Sequence, residues 1–413
     1  MKIVTLSPQQ FDKFAKTHRY RNYYQTSNYG NVMVKFGYNA HYLGIVNEQN
    51  KLIGATLILY KEVFMNNKIA YAPRGILFNY ENAEMVKELA ERLKQTLGKQ
   101  GFMLLRIDPY IPLSIRDSEG EIINLNNQGN IIIENLEAAN FTYKGKNLFF
   151  ENEKPRWEAL VLLNKDIREI FSKFDKRTRN KIRKATNSGI EIYKDEKKDI
   201  KKLYEFIRRK NPKPLSFYQE ICNNYNENIE IYYARLNTEN YTINSRRSYE
   251  KETEYNNELA KKIQNINLDD RERNNLLNKK MESDKLMNSY KNSLINATQL
   301  LKEYPEGVTI GGAMVINYDN AAHIFIDGID EEYSSLNASY LLKWRIIDDY
   351  NQRKFKYVNL NAIVGEFERK NKYSGLNEMK LGFHTIVTEY LGEFDIILNN
   401  FTFNLYKSFN KNK

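Results

Sequence analysis

The sequence predicts a mixed α/β (α+β) fold built from two copies of one unit, with a pair of long helices inserted in the second copy. The order strand, turn, strand, helix, strand occurs twice along the chain. Gly54-Ala55 in the first occurrence corresponds to Gly312-Ala313 in the second. Residues 244–303 contain no proline and no glycine, which is typical of long helices.

The first copy contains predicted strands at 43–47, 52–64, 69–72 and 102–107. Ser7-Pro8 predicts the start of a helix, because a capping side chain precedes proline at the first helical position. A second helix is predicted after the third strand, since apolar residues recur at helical spacing at Val86, Leu89, Leu93 and Leu97. Gly98 stands where the C-cap of that helix is expected.

The second copy repeats this order. Its strands are predicted at 229–234, 309–318, 323–327 and 357–360. A helix is predicted at 336–350, with its apolar side formed by Leu341, Leu342, Trp344 and Ile347.

Two long antiparallel helices are predicted within residues 244–303. Apolar residues recur every three or four positions in two runs, at Tyr255, Leu259, Ile263 and Ile266 and at Met287, Tyr290, Leu294, Ala297 and Leu301. The capping sequence Asn267-Leu268-Asp269-Asp270 separates the runs. The segment is either a solvated insertion without chemistry or an arm that holds a large partner.

Composition and charge limit the classes of function. The chain has 413 residues, of which 41% are apolar, and this is enough for a large packed core. With 63 Lys+Arg against 52 Asp+Glu, its formal net charge is +11. The excess predicts an anionic partner, which could be nucleic acid, a phosphorylated substrate or a membrane surface.

Cys222 is the only cysteine, which excludes a disulfide framework and a cysteine-based metal site. Its thiol is expected to be structural rather than nucleophilic. No metal centre is expected, because the histidines are scattered at His18, His41, His323 and His384. The sequence shows neither a signal peptide nor a membrane-spanning run, so the cytosol is the expected compartment, with contact at the inner membrane face left open.

The strongest charge feature is the segment 173–184, which is predicted to be a helix with one basic face. Its basic residues are Lys173, Lys176, Arg177, Arg179, Lys181, Arg183 and Lys184, against the single acid Asp175. Such a face either binds several phosphates or is simply solvated.

Three other sites could carry chemistry. In the block 71–75, Arg74 offers a fork for phosphate or carboxylate, or is a surface arginine at a turn. Asp108 follows a strand at the end where α/β sheets place functional groups, or it is a turn residue. Lys380, in the glycine-punctuated stretch 375–383, could stabilise an oxyanion or hold a phosphate, or lie on the surface.

Taken together, these segments resemble the Fem family, the FemA/FemB/FemX-type aminoacyltransferases of bacterial cell-wall synthesis. The similar blocks occur in the family's order and are YAPRGILFNYEN (71–82), LRIDPYIP (105–112), KPRWEALVLL (154–163), KRTRNKIRKATNSGIEI (176–192) and GLNEMKLGFHTIVTEYLGEFD (375–395). The helical pair at 244–303 makes the arm-bearing FemA/FemB-like members the closer match.

The resemblance implies two GNAT-like acyltransferase domains and an antiparallel coiled-coil arm. The expected division is 1–150 for the first domain, 151–243 with 304–395 for the second, 244–303 for the arm, and 396–413 returning to the first domain. The implied reaction transfers glycine, or else serine or alanine, from aminoacyl-tRNA to an amine of lipid II or its nucleotide-linked precursor. No cofactor is implied. Self-association, or pairing with a related transferase, is left open.

The resemblance also assigns roles to residues. Lys380 and Asp108 are the implied catalytic residues. The implied acceptor-binding residues are Tyr71, Arg74, Lys35, Tyr218 and Phe383. The implied tRNA-binding residues are Lys176, Arg177, Arg179 and Arg183. Around Lys380 the chain departs from the family pattern, because Met379 replaces a phenylalanine and Leu381 replaces a second lysine.

Two other functions remain open at this point. A basic twin-domain protein with an arm could bind RNA or a partner without catalysis. An acyl-CoA-dependent acetyltransferase is the less favoured alternative, because the expected Gln/Arg-x-x-Gly-x-Gly/Ala turn before a helix is absent from the sequence.

Overall fold

The computed structural model describes residues 1–209, 213–264 and 269–410. Ile266 and the Asn267-Leu268 pair, which entered the prediction of the long helices, lie outside these residues.

Within the described residues the strands are β1 (Lys2–Thr5), β2 (Asn39–Val46), β3 (Leu52–Phe64), β4 (Asn67–Ala72), β5 (Phe102–Ile107), β6 (Pro112–Arg116), β7 (Ile122–Leu125), β8 (Phe141–Tyr143), β9 (Trp157–Leu162), β10 (Ile190–Lys194), β11 (Ile229–Leu236), β12 (Val308–Tyr318), β13 (Ala321–Ile329), β14 (Tyr357–Ala362), β15 (Ile386–Tyr390) and β16 (Phe394–Ile397). The α-helices are α1 (Pro8–Ala15), α2 (Ser27–Lys35), α3 (Ala83–Lys99), α4 (Gly129–Ala138), α5 (Ile167–Lys173), α6 (Lys176–Asn187), α7 (Ile200–Ile207), α8 (Leu215–Tyr225), α9 (Thr238–Ile263), α10 (Asp270–Glu303), α11 (Ala338–Gln352), α12 (Ser374–Leu381) and α13 (Asn400–Asn410).

The strands form two sheets with the same central pattern. The first sheet has the order β1-β2-β3-β4-β5-β16-β8, and the second has the order β10-β11-β12-β13-β14-β9-β15-β6-β7. In the first, β3 pairs antiparallel with β4, which runs parallel to β5, and α3 connects the parallel pair. In the second, β12, β13, α11 and β14 repeat this arrangement. The mixed α/β fold is confirmed, and the predicted order of elements is present in both sheets.

Strand pairing links distant parts of the chain. β6 and β7 join the second sheet through β15, although they precede residue 150. β16 comes near the end of the chain and pairs with β5 and β8 of the first sheet. The domain boundaries expected from the sequence stay a prediction.

Four helices, α1, α2, α7 and α8, fill the space between the sheets. One buried cluster joins Leu57 of the first sheet, Phe11 and Phe217 of the helices, and Met314 of the second sheet. Phe36, directly after α2, packs against Phe217 of α8, with their ring centroids 5.3 Å apart. The two sheets are therefore held together by a shared apolar layer.

The long helices α9 and α10 run antiparallel. Thr242 Oγ1 donates to the carbonyl oxygen of Ala297 at 3.0 Å, and Asn256 Nδ2 donates to Ser283 Oγ at 3.2 Å. A later residue of α9 thus meets an earlier residue of α10. The pair begins at Thr238, earlier than the predicted 244, and its seam includes the buried polar residues Asn256 and Ser283.

Two local predictions were wrong. The basic segment is not one helix, because α5 ends at Lys173 and Asp175 caps α6 by accepting a hydrogen bond from the backbone N–H of Thr178. Gly98 is not a C-cap but lies inside α3, which continues to Lys99. A Cβ atom at position 98 would lie 2.9 Å from the carbonyl oxygen of Leu398, so glycine is needed there for close approach.

We expect Gly98→Ala to lower the free energy of unfolding by about 1–2 kcal/mol, because the backbone contact must open and this outweighs the helix propensity of alanine. Urea denaturation followed by circular dichroism measures the change. Gly375→Ala is the matched control, since a Cβ at this helical glycine meets nothing within 4 Å. Equal stability of the two variants would contradict the account of Gly98.

Candidate active site

The ends of β4 and β5 position the first two site residues. These parallel strands end at Ala72 and Ile107, so the residues that follow them lie at the same edge of the sheet. Arg74 is held at a φ of +55°, in the left-handed region. Asp108 directly follows β5, and both side chains are 1% exposed.

The guanidinium of Arg74 forms hydrogen bonds with buried groups of the protein. Its Nη2 donates to Glu158 Oε1 at 2.8 Å and to the carbonyl oxygen of Pro155 at 2.7 Å, and its Nη1 lies 3.4 Å from Asp108 Oδ1. Burial alone would lower the pKa of Arg74, but the carboxylates of Asp108 and Glu158 raise it well above its ordinary value. Arg74 is therefore a permanent cation whose charge is balanced within the protein.

Glu158 of β9 is the centre of a buried hydrogen-bond network. Besides Arg74, it accepts from Asn359 Nδ2 at 2.8 Å, Tyr390 OH at 3.1 Å and Tyr110 OH at 3.3 Å. The guanidinium of Arg74 also lies over the rings of Tyr110 and Tyr390, at 5.1 and 4.8 Å from their centroids. Because β9 pairs with β14 and β15, this network connects the edge of the first sheet to the middle of the second.

Glu158 is not among the site residues predicted from the sequence, although it lies in the block 154–163. The available signal is a carboxylate inside the otherwise apolar strand Trp157–Leu162, because such a group is buried only when it is paired.

Asp108 is the second carboxylate of the cluster. It accepts a hydrogen bond from Tyr71 OH at 3.2 Å. Burial raises the pKa of Asp108, against the lowering effect of Arg74. Burial and the nearby charge of Asp108 raise the pKa of Glu393 to about 7. Half-buried Lys154, whose Nζ lies 3.3 Å from Tyr29 OH, adds a cation on this side.

Lys380 is a buried amine on α12. Its Nζ donates to the carbonyl oxygen of Ala362 at 2.7 Å, and the residue is 6% exposed. Burial lowers the pKa of Lys380 to about 7, while Asp327 raises it and Lys343 lowers it further. Lys343 Nζ already pairs with Asp327 at 2.6 Å, so the two lysines share one carboxylate.

The other implied acceptor residues lie in different surroundings. Phe383 is a core residue that packs on Phe174 and Tyr340, with ring centroids 5.1 and 6.0 Å apart. Tyr218 is buried beside Phe217, and its hydroxyl has no hydrogen-bond partner in the described part of the chain. Lys35 is exposed at the end of α2. The hydrogen bonds of the Arg74 network reach none of these three among the described residues.

The four implied tRNA-binding residues lie on α6, next to the helix that carries Lys380. Lys176, Arg177 and Arg183 are exposed, and Arg177 Nη1 pairs with Glu378 of α12 at 3.1 Å. Arg179 is used locally, because it donates to the carbonyl oxygens of Ser172 and Phe174 at the end of α5. A cavity of about 390 Å³ lies between these helices, and its lining includes Lys173, Arg177, Tyr340, Glu378 and His384.

No group of three or more His, Cys, Asp or Glu side chains in the described part of the chain could hold a metal ion. No helix within the described ranges has the length and apolar character needed to cross a membrane.

We expect Glu158→Gln to lower the free energy of unfolding by about 3 kcal/mol, because Arg74 keeps its charge but loses its closest buried carboxylate. Chemical denaturation measures the loss. Glu378→Gln is the control, since it breaks an exposed pair whose contribution is expected to be below about 1 kcal/mol. If both variants lost the same stability, the buried network would not hold the site together.

Lys380 also predicts a pH dependence of stability. Its pKa is about 7 in the folded chain and 10.5 ordinarily, so the unfolded chain binds more protons between these values. Stability should therefore rise with pH across this window, by up to about 1.4 kcal/mol per pH unit from this group. Lys380→Met should remove that slope, whereas Lys370→Met, at an exposed lysine, should keep it. Parallel slopes for the wild-type protein and Lys380→Met would contradict the lowered pKa.

Comparison with known proteins agrees with the fold. The model of the FemAB family matches residues 6–411. Aminoacyltransferase FemA of Staphylococcus epidermidis is 24% identical over 428 residues, with 100% of both chains covered. Aminoacyltransferase FemA of Staphylococcus aureus is 23% identical over 429 residues, covering 100% of this chain and 99% of that protein. The crystal structure of FemX superposes with a TM-score of 0.71 at 18% identity, covering 98% of this chain and 99% of that one, and so has the same fold. Because the family model matches almost the whole length of the chain, the chain belongs to the FemAB family.

Proposed function

We propose that this protein transfers an amino acid, glycine in the first instance and otherwise serine or alanine, from aminoacyl-tRNA to an amine of a peptidoglycan precursor. The acceptor is the stem or bridge peptide of lipid II or of its nucleotide-linked form. The product is part of the interpeptide bridge of the cell wall. Family membership supports the coarser statement that the protein is an acyltransferase enzyme, because its relatives are named aminoacyltransferase FemA.

The observation that carries the proposal is the buried amine of Lys380 beside the basic helix α6. In the proposed reaction, the neutral amine of the acceptor attacks the ester carbonyl carbon. A C–N bond forms, the C–O bond to the ribose breaks, and the proton of the amine passes to the released ribose oxygen. An aminoacyl ester is already activated, so the step needs an oriented amine and a stabilised oxyanion, without a redox or metal cofactor.

Lys380 is proposed to stabilise the oxyanion. With a pKa of about 7, its ammonium form is available at neutral pH and its proton is easily shared. Asp108 is proposed to act as a positioning residue rather than by touching the reacting atoms, because it is buried and bonded to Arg74 and Tyr71. Half-buried Tyr71, together with Lys154 and exposed Lys35, then provides the acceptor-facing groups.

The donor is proposed to lie along α6 and the cavity next to α12. Lys176, Arg177 and Arg183 can reach phosphates because they are exposed, whereas Arg179 supports the end of α5. The place of reaction is proposed to be the cytoplasm, at the inner face of the membrane.

The test is a reconstituted transfer assay. Each charged tRNA is offered with lipid II or the nucleotide-linked precursor, and the product is weighed by mass spectrometry. We expect a mass gain of one amino acid, and a loss of about 100-fold or more in rate for Lys380→Met, as for removal of an oxyanion-hole donor. Lys370→Met should transfer at the normal rate.

Two outcomes would overturn the proposal. Tight binding of tRNA with no product from any charged tRNA would favour a non-catalytic binding protein. Product formed from acetyl coenzyme A instead would favour an ordinary acetyltransferase. Normal transfer by folded Lys380→Met would leave the activity in place but remove the role given to Lys380.

A further inference from the structure

The helix α13 is amphipathic, and its apolar residues point in two directions. Phe403 is 9% exposed and packs with Tyr406 against the outer face of the first sheet, which presents Met103, Leu104, Ile69 and Ile397. Phe401 is 74% exposed, and Leu405, one turn later, is 37% exposed. The helix α13 therefore has two apolar faces, one that packs on the sheet and one that is exposed.

A second exposed apolar segment lies at the same end of the first sheet. Met65 in the turn between β3 and β4 is 74% exposed, and Val63 is 45% exposed. The backbone N–H of Lys68 donates to the carbonyl oxygen of Gly101, just before β5. The backbone N–H of Leu398 donates to the carbonyl oxygen of Met103, near the start of β5. The turn and the first residues of α13 are thus both placed at the amino end of β5.

Three lysines lie around this surface, with one acid, Glu62, beside them on β3. α13 contains Lys407 and no acidic residue. Lys99, exposed at the end of α3, lies beside the entry to α13, because Gly98 closely approaches the carbonyl of Leu398. Exposed Lys61 lies on β3, and Glu62 next to it is the nearest acid along that strand. Aromatic and aliphatic side chains flanked by lysines are typical of helices that lie in a membrane interface.

We infer that α13 and the β3–β4 turn form a surface that docks on an anionic lipid bilayer, with Phe401, Leu405 and Met65 entering the headgroup region. The inference deepens the proposed function, because it supplies a way to hold the enzyme where a lipid-linked acceptor is found. β5 is 6 residues long, so the docking surface and Asp108 lie about 20 Å apart along that strand.

The test uses the full chain and vesicles, with neither tRNA nor acceptor present, so that a failure here is distinct from a failure of the transfer proposal. Binding is measured by flotation with vesicles of phosphatidylglycerol and phosphatidylcholine, and with vesicles of phosphatidylcholine alone. We expect binding to the anionic vesicles that weakens as salt is added. Phe401→Ser/Leu405→Ser should lose at least about tenfold in affinity, and Lys407→Gln about fivefold.

A matched control is offered by α10, where Leu286 is 47% and Ile295 is 59% exposed. Leu286→Ser/Ile295→Ser removes a similar apolar area elsewhere and should bind vesicles normally. Thermal denaturation of all variants confirms that the folds are intact. The inference is overturned if the wild-type protein does not bind anionic vesicles, or if the two double variants bind these vesicles with equal affinity. It is also overturned if sedimentation shows that the exposed face of α13 joins two copies of the chain instead.

Discussion

The structure depends on one buried charge cluster that crosses from one sheet to the other. Arg74 follows β4 of the first sheet, and its closest carboxylate, Glu158, belongs to β9 of the second. Burying these groups has a large desolvation cost, which the ion pairs and hydrogen bonds of the cluster offset. Asp108, Tyr110 and Tyr390 supply further contacts, whereas Arg74 Nε has no hydrogen-bond partner among the described residues. The two sheets are consequently fixed in one relative position at the edge where the strands end, next to Tyr71 and Lys154, which are proposed to face the acceptor.

This arrangement changes the meaning of a motif that looked like a ligand site. An arginine after a strand suggests a fork for phosphate, but the fork of Arg74 is occupied by Glu158, Asp108 and the carbonyl of Pro155. The contribution proposed for Arg74 is therefore to orient the loop and the tyrosines around it, not to bind the substrate itself. Lys154, half-buried beside Tyr29, is a cation that remains accessible near this edge.

The sequence predicted what depends on local patterns and missed what depends on long-range pairing. The strand Leu52–Phe64 and the helix around Leu89 and Leu93 were predictable, because the periodicity of side chains reports which face is buried. The placement of β6 and β7 in the second sheet was not, since no local pattern states which distant strand is a neighbour. Gly98 shows the same limit. Glycine is needed there because the backbone carbonyl of Leu398, about three hundred residues later in the chain, approaches it closely. Of the candidate site, Arg74, Asp108 and Lys380 were named from the sequence, whereas Glu158, which binds the cluster together, was not.

Arg74 and Lys380, two buried cations of the site, are held in opposite ways, and this separates their proposed roles. Arg74 has two carboxylates within 3.4 Å, and a guanidinium in such surroundings keeps its proton at any physiological pH. Lys380 has a backbone carbonyl as its hydrogen-bond acceptor, while the nearby carboxylate of Asp327 is already paired with Lys343. In the described part of the chain Lys380 forms no ion pair, and burial leaves its pKa at about 7. A permanent charge suits a joint between two sheets, whereas an amine that titrates near neutrality suits a reacting centre where charge appears and disappears.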